Sequence, residues 1–264
     1  MDYDDAYANG AYISGADAFP DRWMEAADAF RVRENIAGRI RVNLPYGQHE
    51  RQCFDLLYPD GKPKGVMIFV HGGYWLDFDK SYWSHFAKGA LEHGWMVAVP
   101  SYRLAPEVRI FEITQDIAAA VTEIANMTVG PIVLTGHSAG GHLVARMNCP
   151  DVDLLDEVRD RIQKVVPISP LGDLAPLRHT KMNEKFMMDA LEVLDESPIT
   201  YDPIAPVHIW VGANERPAFV AQASDLATAW DCPITLDPDR HHFDVINGLE
   251  APNHALMATL LSED

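Results

Sequence analysis

The chain has 264 residues, of which 21 are Lys or Arg and 39 are Asp or Glu, so its formal net charge is −18. This charge, without a basic stripe to offset it, argues against binding to nucleic acid and to anionic lipid. The three cysteines (Cys53, Cys149 and Cys232) are too few and too widely spaced for a disulfide framework or a zinc site, so a reducing compartment is expected.

No feature of the sequence indicates export, a membrane span or a second domain. The acidic N-terminus lacks the basic and then apolar layout of a secretory signal peptide. The longest apolar runs are far shorter than the roughly 20 residues that span a bilayer. Repeats, low-complexity tracts and long linkers are also lacking. We therefore expect a cytoplasmic protein without a membrane partner, folded as a single domain over residues 1–264.

The first predicted elements are a helical preamble and an antiparallel pair of strands. Residues 1–35 are predicted to be largely helical, because apolar side chains recur at helical spacing on one face: Phe19, Trp23, Ala26, Ala27 and Phe30. Alternating apolar residues at 39–44 and 53–58 then predict two leading antiparallel strands at the edge of a sheet.

The rest of the chain alternates between short apolar runs and helical periodicity. The runs are rich in β-branched residues and predict strands buried on both faces, at 66–70, 96–99, 132–135, 165–168, 207–211 and 234–236. Helical periodicity separates them, as at 113–124 and 217–230. This alternation predicts an α/β fold with a mostly parallel twisted sheet and helices on both faces. Residues 171–197 interrupt it and predict a small helical insertion over the sheet.

A glycine-rich turn follows the predicted strand at 132–135, at the end of the sheet where ligands bind in such folds. Its sequence, Gly-His-Ser-Ala-Gly-Gly at 136–141, lies between a strand and an apolar helix. This is the setting of a nucleophile elbow, in which Ser138 would be the nucleophile. The alternative is a packed serine in a tight strand–helix turn.

A second glycine-rich loop, His-Gly-Gly-Tyr-Trp at 71–75, follows the strand at 66–70. Adjacent glycines let backbone N–H groups approach a substrate carbonyl oxygen where a side chain would clash. We therefore predict that Gly72, Gly73 and Ala139, the residue after the candidate nucleophile, donate hydrogen bonds to an oxyanion.

Three side chains of the second loop have alternative interpretations. His71 is predicted to hold the loop in shape, although it also resembles a catalytic base. Tyr74 and Trp75 are predicted to line a substrate pocket, and core packing is the alternative for both. Trp83 is a further candidate for the aromatic lining.

A serine nucleophile in this fold class needs an acid and then a histidine, in that chain order. Glu215 lies in the loop after the strand at 207–211, where the acid is expected. Its alternative role is a carboxylate favoured by the start of the next helix. Asp225 lies inside that helix, and Asp239 and Asp244 are too near the candidate histidines in sequence to reach them easily.

Two adjacent histidines, His241 and His242, are the candidates for the base, and the residues alone leave both open. A metal site here would need a further ligand at a suitable spacing, which this cluster lacks. We therefore predict no metal and no cofactor.

These motifs resemble the α/β-hydrolase superfamily, and more narrowly the arylformamidase (kynurenine formamidase) type, over most of the chain. The segments similar to arylformamidases lie at 71–75, 136–141, 180–184, 197–198 and 242–246. The stretch Tyr-Arg-Leu-Ala-Pro-Glu at 102–107 is similar to hormone-sensitive-lipase-type esterases. Those esterases usually carry a third glycine where Tyr74 stands here, which favours the arylformamidase type.

The resemblance implies a catalytic triad of Ser138, Glu215 and His242. The family's histidine precedes Phe-Asp, as His242 does, and its acid is commonly Asp before Pro-x-Phe, where this chain has Glu215. The implied activity is hydrolysis of a small-molecule substrate through an acyl-enzyme, with N-formylkynurenine giving kynurenine and formate.

Alternatives to this activity are a short-chain carboxylesterase or thioesterase, and a non-catalytic binding protein with the hydrolase fold. Binding proteins of that kind usually lose a triad member, whereas all three candidate residues are present here. A homodimer is left open.

Overall fold

A computed structural model describes residues 2–262 of the chain. Within this range eight strands form one sheet in the order β1-β2-β4-β3-β5-β6-β7-β8. They are β1 (Ile40–Pro45), β2 (Cys53–Leu57), β3 (Val66–Val70), β4 (Met96–Pro100), β5 (Ile132–His137), β6 (Ile162–Ile168), β7 (Ile209–Gly212) and β8 (Ile234–Asp237). The pairings β1–β2 and β2–β4 are antiparallel and all the others are parallel, which confirms the predicted fold class.

Helices connect the strands and cover the sheet. The α-helices are α1 (Tyr3–Ala6), α2 (Phe19–Ile36), α3 (Lys88–Glu92), α4 (Ile110–Met127), α5 (Ala139–Arg146), α6 (Asp156–Arg159), α7 (Asn183–Phe186), α8 (Ala190–Glu196), α9 (Pro217–Ala229) and α10 (Ala255–Leu261). Short 3-10 helices lie at Gly10–Tyr12, Ala16–Ala18, Lys80–Tyr82, Ser84–Ala87, Leu177–His179, Pro198–Thr200 and Val245–Glu250. None of the helices in residues 2–262 has the length and apolar character to cross a bilayer.

Two apolar clusters cover the two faces of the sheet. Successive residues of β3 point to opposite faces, so that Ile68 belongs to the cluster that includes residues of α4, α5 and α9, while Met67 belongs to the cluster that includes residues of α2, α3 and α10. The central strands are buried on both faces, which explains their continuous apolar sequences.

The register of the parallel strands brings the two glycine-rich loops together. Val70 at the end of β3 pairs with Gly136 near the end of β5, and His137 pairs with Ile168 at the end of β6. Because parallel strands end at the same edge of a sheet, the segments after β3, β5 and β6 lie side by side.

Two predicted segments differ in detail from the structure. The preamble becomes a long helix only from Phe19, and Ala26 is exposed on it although Trp23 and Phe30 are buried as predicted. The segment at 171–197 is helical, but only as a 3-10 turn and the short helices α7 and α8.

Candidate active site

Ser138 lies at the sharp turn between β5 and α5. Its backbone has φ 57° and ψ −117°, a conformation that costs a non-glycine residue about 1–3 kcal/mol. The Ser138 N–H donates to the carbonyl oxygen of Ile168 at 2.9 Å. Gly140 packs so closely that a Cβ there would lie 2.0 Å from the carbonyl oxygen of Val70. These contacts hold the strained turn and present Ser138 at the carboxyl edge of the sheet.

Glu215 and His242 form a buried pair. The Nδ1 atom of His242 donates to Oε2 of Glu215 at 2.5 Å. The other oxygen of Glu215 accepts hydrogen bonds from the Gly212 N–H at 2.8 Å and from the Ser169 hydroxyl at 2.5 Å. Both carboxylate oxygens are therefore fixed, and the His242 tautomer that donates from Nδ1 leaves Nε2 able to accept a proton.

The His242 ring packs against two other rings. The centroid of Phe219 lies 4.3 Å away and that of His137 lies 4.6 Å away. Burial, together with the neighbouring His242, holds the pKa of His137 well below its ordinary value. His137 therefore stays neutral beside the pair and adds no competing charge.

The alternative candidates for the base and the acid contact other residues. His241 pairs with Asp244, which accepts from the His241 N–H at 2.7 Å and lies 3.2 Å from its ring nitrogen. Asp225 lies on α9 and lines a different surface cavity. Among residues 2–262, no three or more His, Cys, Asp or Glu side chains are grouped as a metal ion would require.

The loop after β3 approaches Ser138 closely. A Cβ on Gly72 would lie 2.8 Å from the carbonyl oxygen of His137 and 3.1 Å from the Ser138 Cβ, so only glycine fits there. The N–H groups of Gly72 and Gly73 find no acceptor among the described residues. Ala139 begins α5, where the first N–H groups of a helix lack intrahelical partners.

His71 supports this loop from inside. Its Nδ1 atom donates to the carbonyl oxygen of Gly72 at 2.8 Å, and its ring stacks on that of Tyr102 at 4.3 Å. Burial lowers the pKa of His71 to about 4, so the ring is neutral near pH 7. These contacts agree with the predicted structural role.

Ser138 and His242 line one cavity of about 400 Å³. Much of its wall is aromatic, and its rings pack on one another: Trp23 lies 4.9 Å from Trp83 and 5.5 Å from Phe243. The lining residues are Asp4, Tyr7, Ala8, Asn9, Gly10, Pro20, Trp23, Gly72, Gly73, Tyr74, Asp77, Phe78, Trp83, His137, Ser138, Met182, His242 and Phe243. The predicted oxyanion loop, nucleophile and base therefore line one cavity.

The two predicted pocket aromatics diverge. Tyr74 lines the cavity and donates its hydroxyl hydrogen bond to the carbonyl oxygen of Tyr7 at 2.7 Å. Trp75 does not line the cavity, in contrast to the prediction, because it is fully buried against the rings of His142 and Phe186. Both residues have positive φ, and at this turn of the chain the Tyr74 side chain faces the cavity while the Trp75 side chain faces the core.

Several residues at the site were missed by the sequence analysis. Ser169 directly follows β6, so the rule that located the other loops could also have identified it. Asp4 and residues 7–10 line the cavity from the N-terminus, and no local sequence signal marks them. Their position depends on contacts with distant parts of the chain.

The chain matches both a family model and curated proteins. A family model described as alpha/beta hydrolase fold matches residues 67–203, which is more than half of the chain. Among curated proteins, a kynurenine formamidase from Danio rerio is 24% identical over 273 residues, with 92% of each chain covered.

Comparison with solved structures extends the likeness over nearly the whole chain. A crystal structure from Silicibacter sp. tm1040, described as a candidate thioesterase, is 55% identical with a TM-score of 0.96, covering 99% of this chain and 100% of that one. Esterase B from Lactobacillus Rhamnosis is 19% identical with a TM-score of 0.66, covering 89% and 90%. At that lower identity, the likeness concerns the fold alone.

Proposed function

This chain belongs to the alpha/beta hydrolase fold family, and we propose that it is a serine hydrolase that cleaves a small acyl group from an aryl amide or ester. One observation carries the proposal: Ser138, the paired His242 and the free N–H groups of Gly72 and Gly73 border the same cavity. A nucleophile, a base with its acid, and oxyanion donors are the parts that acyl transfer requires.

In the proposed mechanism, Ser138 Oγ attacks the carbonyl carbon while His242 Nε2 takes the hydroxyl proton. Glu215 orients the ring and stabilises the imidazolium that forms. The N–H groups of Gly72, Gly73 and Ala139 bind the oxyanion. His242 then gives its proton to the leaving amine or alcohol, and water releases the acyl group by the same steps.

An aryl formamide is the preferred substrate class in this proposal. Curated relatives from fish and fly are named kynurenine formamidases. The aromatic wall formed by Trp23, Trp83 and Phe243 suits an aromatic leaving group, and the close approach of Gly72 to Ser138 suits a small acyl group. A formyl group is the smallest acyl group.

A short-chain thioesterase is the second candidate. It is favoured by the 55% identical structure described as a candidate thioesterase, because that likeness spans the whole chain. The same Ser138 mechanism serves a thiol leaving group, so the two candidates differ in substrate and not in machinery.

A substrate panel tests the proposal. kcat/KM is measured for the aryl formamides formanilide and N-formylkynurenine, for phenyl acetate, phenyl butyrate and phenyl octanoate, and for an acetyl thioester, with Ser138→Ala as the control. We expect formanilide to be cleaved, and phenyl acetate to exceed phenyl octanoate by roughly 5- to 150-fold, because extra methylenes in a packed pocket cost about 1–3 kcal/mol. A rise from acetate to octanoate with no formamide cleavage would contradict the arylformamidase assignment.

A further inference from the structure

The N-terminal residues 3–12, which we call the N-terminal strap, close one side of the cavity. Arg216, next to Glu215, donates to the Asp5 carboxylate at 2.8 Å, and its guanidinium lies 3.5 Å from the centre of the Tyr12 ring. The Tyr7 hydroxyl accepts from Gln222 at 2.8 Å. The strap is thus held beside Glu215, and its Asp4 and residues 7–10 line the cavity.

Asn9 on this strap is buried without partners. The residue is 5% exposed, yet neither Oδ1 nor Nδ2 of its carboxamide has a hydrogen-bond partner in the described chain. Buried polar side-chain atoms are satisfied in the large majority of cases, since an unsatisfied one is destabilising. The Asn9 carboxamide therefore needs a hydrogen-bond partner from outside the described chain.

Asn9 also lies where a substrate would be. It borders the cavity that contains Ser138, and with His242 it borders a second cavity of about 220 Å³ that includes Glu215. The small acyl group would occupy the space at the oxyanion loop. The remaining space, between the strap and the aromatic wall, is then left for the leaving group.

The charges around the cavity restrict what that leaving group can be. Asp4 and Asp77 are the ionisable carboxylates among its lining residues, and no Lys or Arg of the described chain lines it. A substrate carboxylate would enter this space without a counter-charge, which is unfavourable. An uncharged group that both donates and accepts hydrogen bonds matches the carboxamide of Asn9.

We propose that Asn9 is a specificity-determining residue that binds an uncharged polar substituent, of the amide type, on an aromatic leaving group. The carboxamide reaches this substituent by a change of side-chain rotamer, exchanging its unpartnered state for two hydrogen bonds. The proposal rests on the proposed function for its choice of leaving group, and it names the substrate class that the site favours.

Three acetate esters of similar shape test the proposal. They are 4-acetoxybenzamide, 4-acetoxybenzoate and 4-isopropylphenyl acetate, which differ in the para substituent. For wild type and Asn9→Leu, kcat/KM is measured with each ester, and comparing the two enzymes cancels differences in intrinsic reactivity. We expect Asn9→Leu to lose about tenfold with the benzamide and to change little with the isopropyl ester, as the loss of two hydrogen bonds at the lower end of their usual strength predicts. Wild type should turn over the benzoate more slowly than the benzamide.

Thermal unfolding separates this role from a structural one. Replacing an unpartnered buried carboxamide by Leu removes two unsatisfied atoms, so the melting temperature of Asn9→Leu should be equal to or above that of wild type. A clear fall in melting temperature together with equal losses for all three esters would overturn the proposal. If Asn9→Leu does not fold, Asn9→Ala replaces it in the same comparison.

Binding of the product 4-hydroxybenzamide, followed by calorimetry, does not depend on turnover. About tenfold weaker binding to Asn9→Leu than to wild type supports the proposal, and equal or undetectable binding to both overturns it. If none of the esters is hydrolysed but this binding difference is found, the proposed hydrolase function fails while the role of Asn9 stands.

Discussion

Glu215 reaches His242 although its side chain is one methylene longer than the Asp common in similar hydrolases. At Gly212 a Cβ would lie 2.4 Å from the carbonyl oxygen of Arg240 and 3.1 Å from the Glu215 Cγ, so glycine leaves room there for both the Arg240 backbone and the longer side chain. The Ser169 hydroxyl and the Gly212 N–H then fix the carboxylate oxygen that does not face the histidine. The residues around Glu215 therefore leave room for the longer side chain and hold its carboxylate in place.

Replacing Glu215 by Gln keeps the shape of the side chain but removes the charge that stabilises a protonated His242. We expect Glu215→Gln to lower kcat by about 10²- to 10⁴-fold. The matched control is Asp244→Asn, which removes a carboxylate that contacts His241 instead. A steady-state assay with an aryl acetate compares the two variants. A larger loss of kcat in Asp244→Asn than in Glu215→Gln would show that Glu215 is not the catalytic acid.

The sequence supports individual residues at the site to different degrees. Ser138, Gly72 and Gly73 are predicted from two glycine-rich loops, in which the tight turn or the close approach of the backbone leaves no room for a side chain. His242 could be preferred to His241 only through a family resemblance, because both follow the same strand. The sequence predicts Trp75 in the pocket because it follows the C-terminal end of a strand, and the positive φ values of Tyr74 and Trp75 have no marker in the sequence.

At the scale of elements, the strap is the part of the site that depends most on distant contacts. Its partners lie far away along the chain, since Lys181 donates to Asp4 across 177 residues and Arg216 donates to Asp5 across 211. Periodicity and turn signals report on neighbours in sequence only. The helical preamble could thus be predicted, whereas its closure of the cavity could not.

The hydrogen bond from the Tyr74 hydroxyl to the carbonyl oxygen of Tyr7 joins the strap to the loop after β3. Its loss in Tyr74→Phe should loosen the strap, raising KM by roughly two- to tenfold with a smaller effect on kcat. Tyr46→Phe is the control, because it removes a similar hydroxyl bond, to the carbonyl oxygen of Ser101, away from the strap.

Hydrogen exchange provides the structural readout for the same pair of variants. Amides of residues 3–12 should exchange faster in Tyr74→Phe than in wild type and be unchanged in Tyr46→Phe. If the two variants raise KM equally and leave exchange in the strap unaltered, the strap does not depend on this bond.

At the scale of the whole molecule, the fold was the most predictable feature. The central strands are buried on both faces, so each is a short apolar run that stands out from its surroundings. The ends of the strands follow the apolar runs less closely. The run at 207–211 predicts a strand from Val207, whereas β7 begins at Ile209 and Val207 forms only an isolated bridge with Val165.

Buried histidines make the stability of the molecule sensitive to acid. Burial lowers the pKa of His71 and His85 to about 4 and that of His142 to about 3. Between these values and the ordinary value of about 6.5, the unfolded chain binds protons that the folded chain does not. Stability therefore rises with pH in this window, and it is lost as the pH falls below about 6.5.

Urea unfolding at pH 7 and pH 5 measures this loss. His142→Asn should reduce the difference in unfolding free energy between the two pH values by about 2 kcal/mol, whatever its stability at pH 7. His179→Asn, at an exposed position, should leave the difference unchanged. An identical pH dependence in wild type and His142→Asn would show that this histidine is not the acid-sensitive group.

The central claim is that Ser138 is the nucleophile of a working hydrolase, and covalent labelling tests it most directly. Wild-type protein is treated with a fluorophosphonate probe, digested and analysed by mass spectrometry, with Ser138→Ala treated in parallel. We predict one modified residue, Ser138, and no labelling of the variant, because the oxyanion donors and the paired His242 activate only the hydroxyl beside them. Labelling of Ser169 or another residue, or an unreactive wild type, would contradict the account.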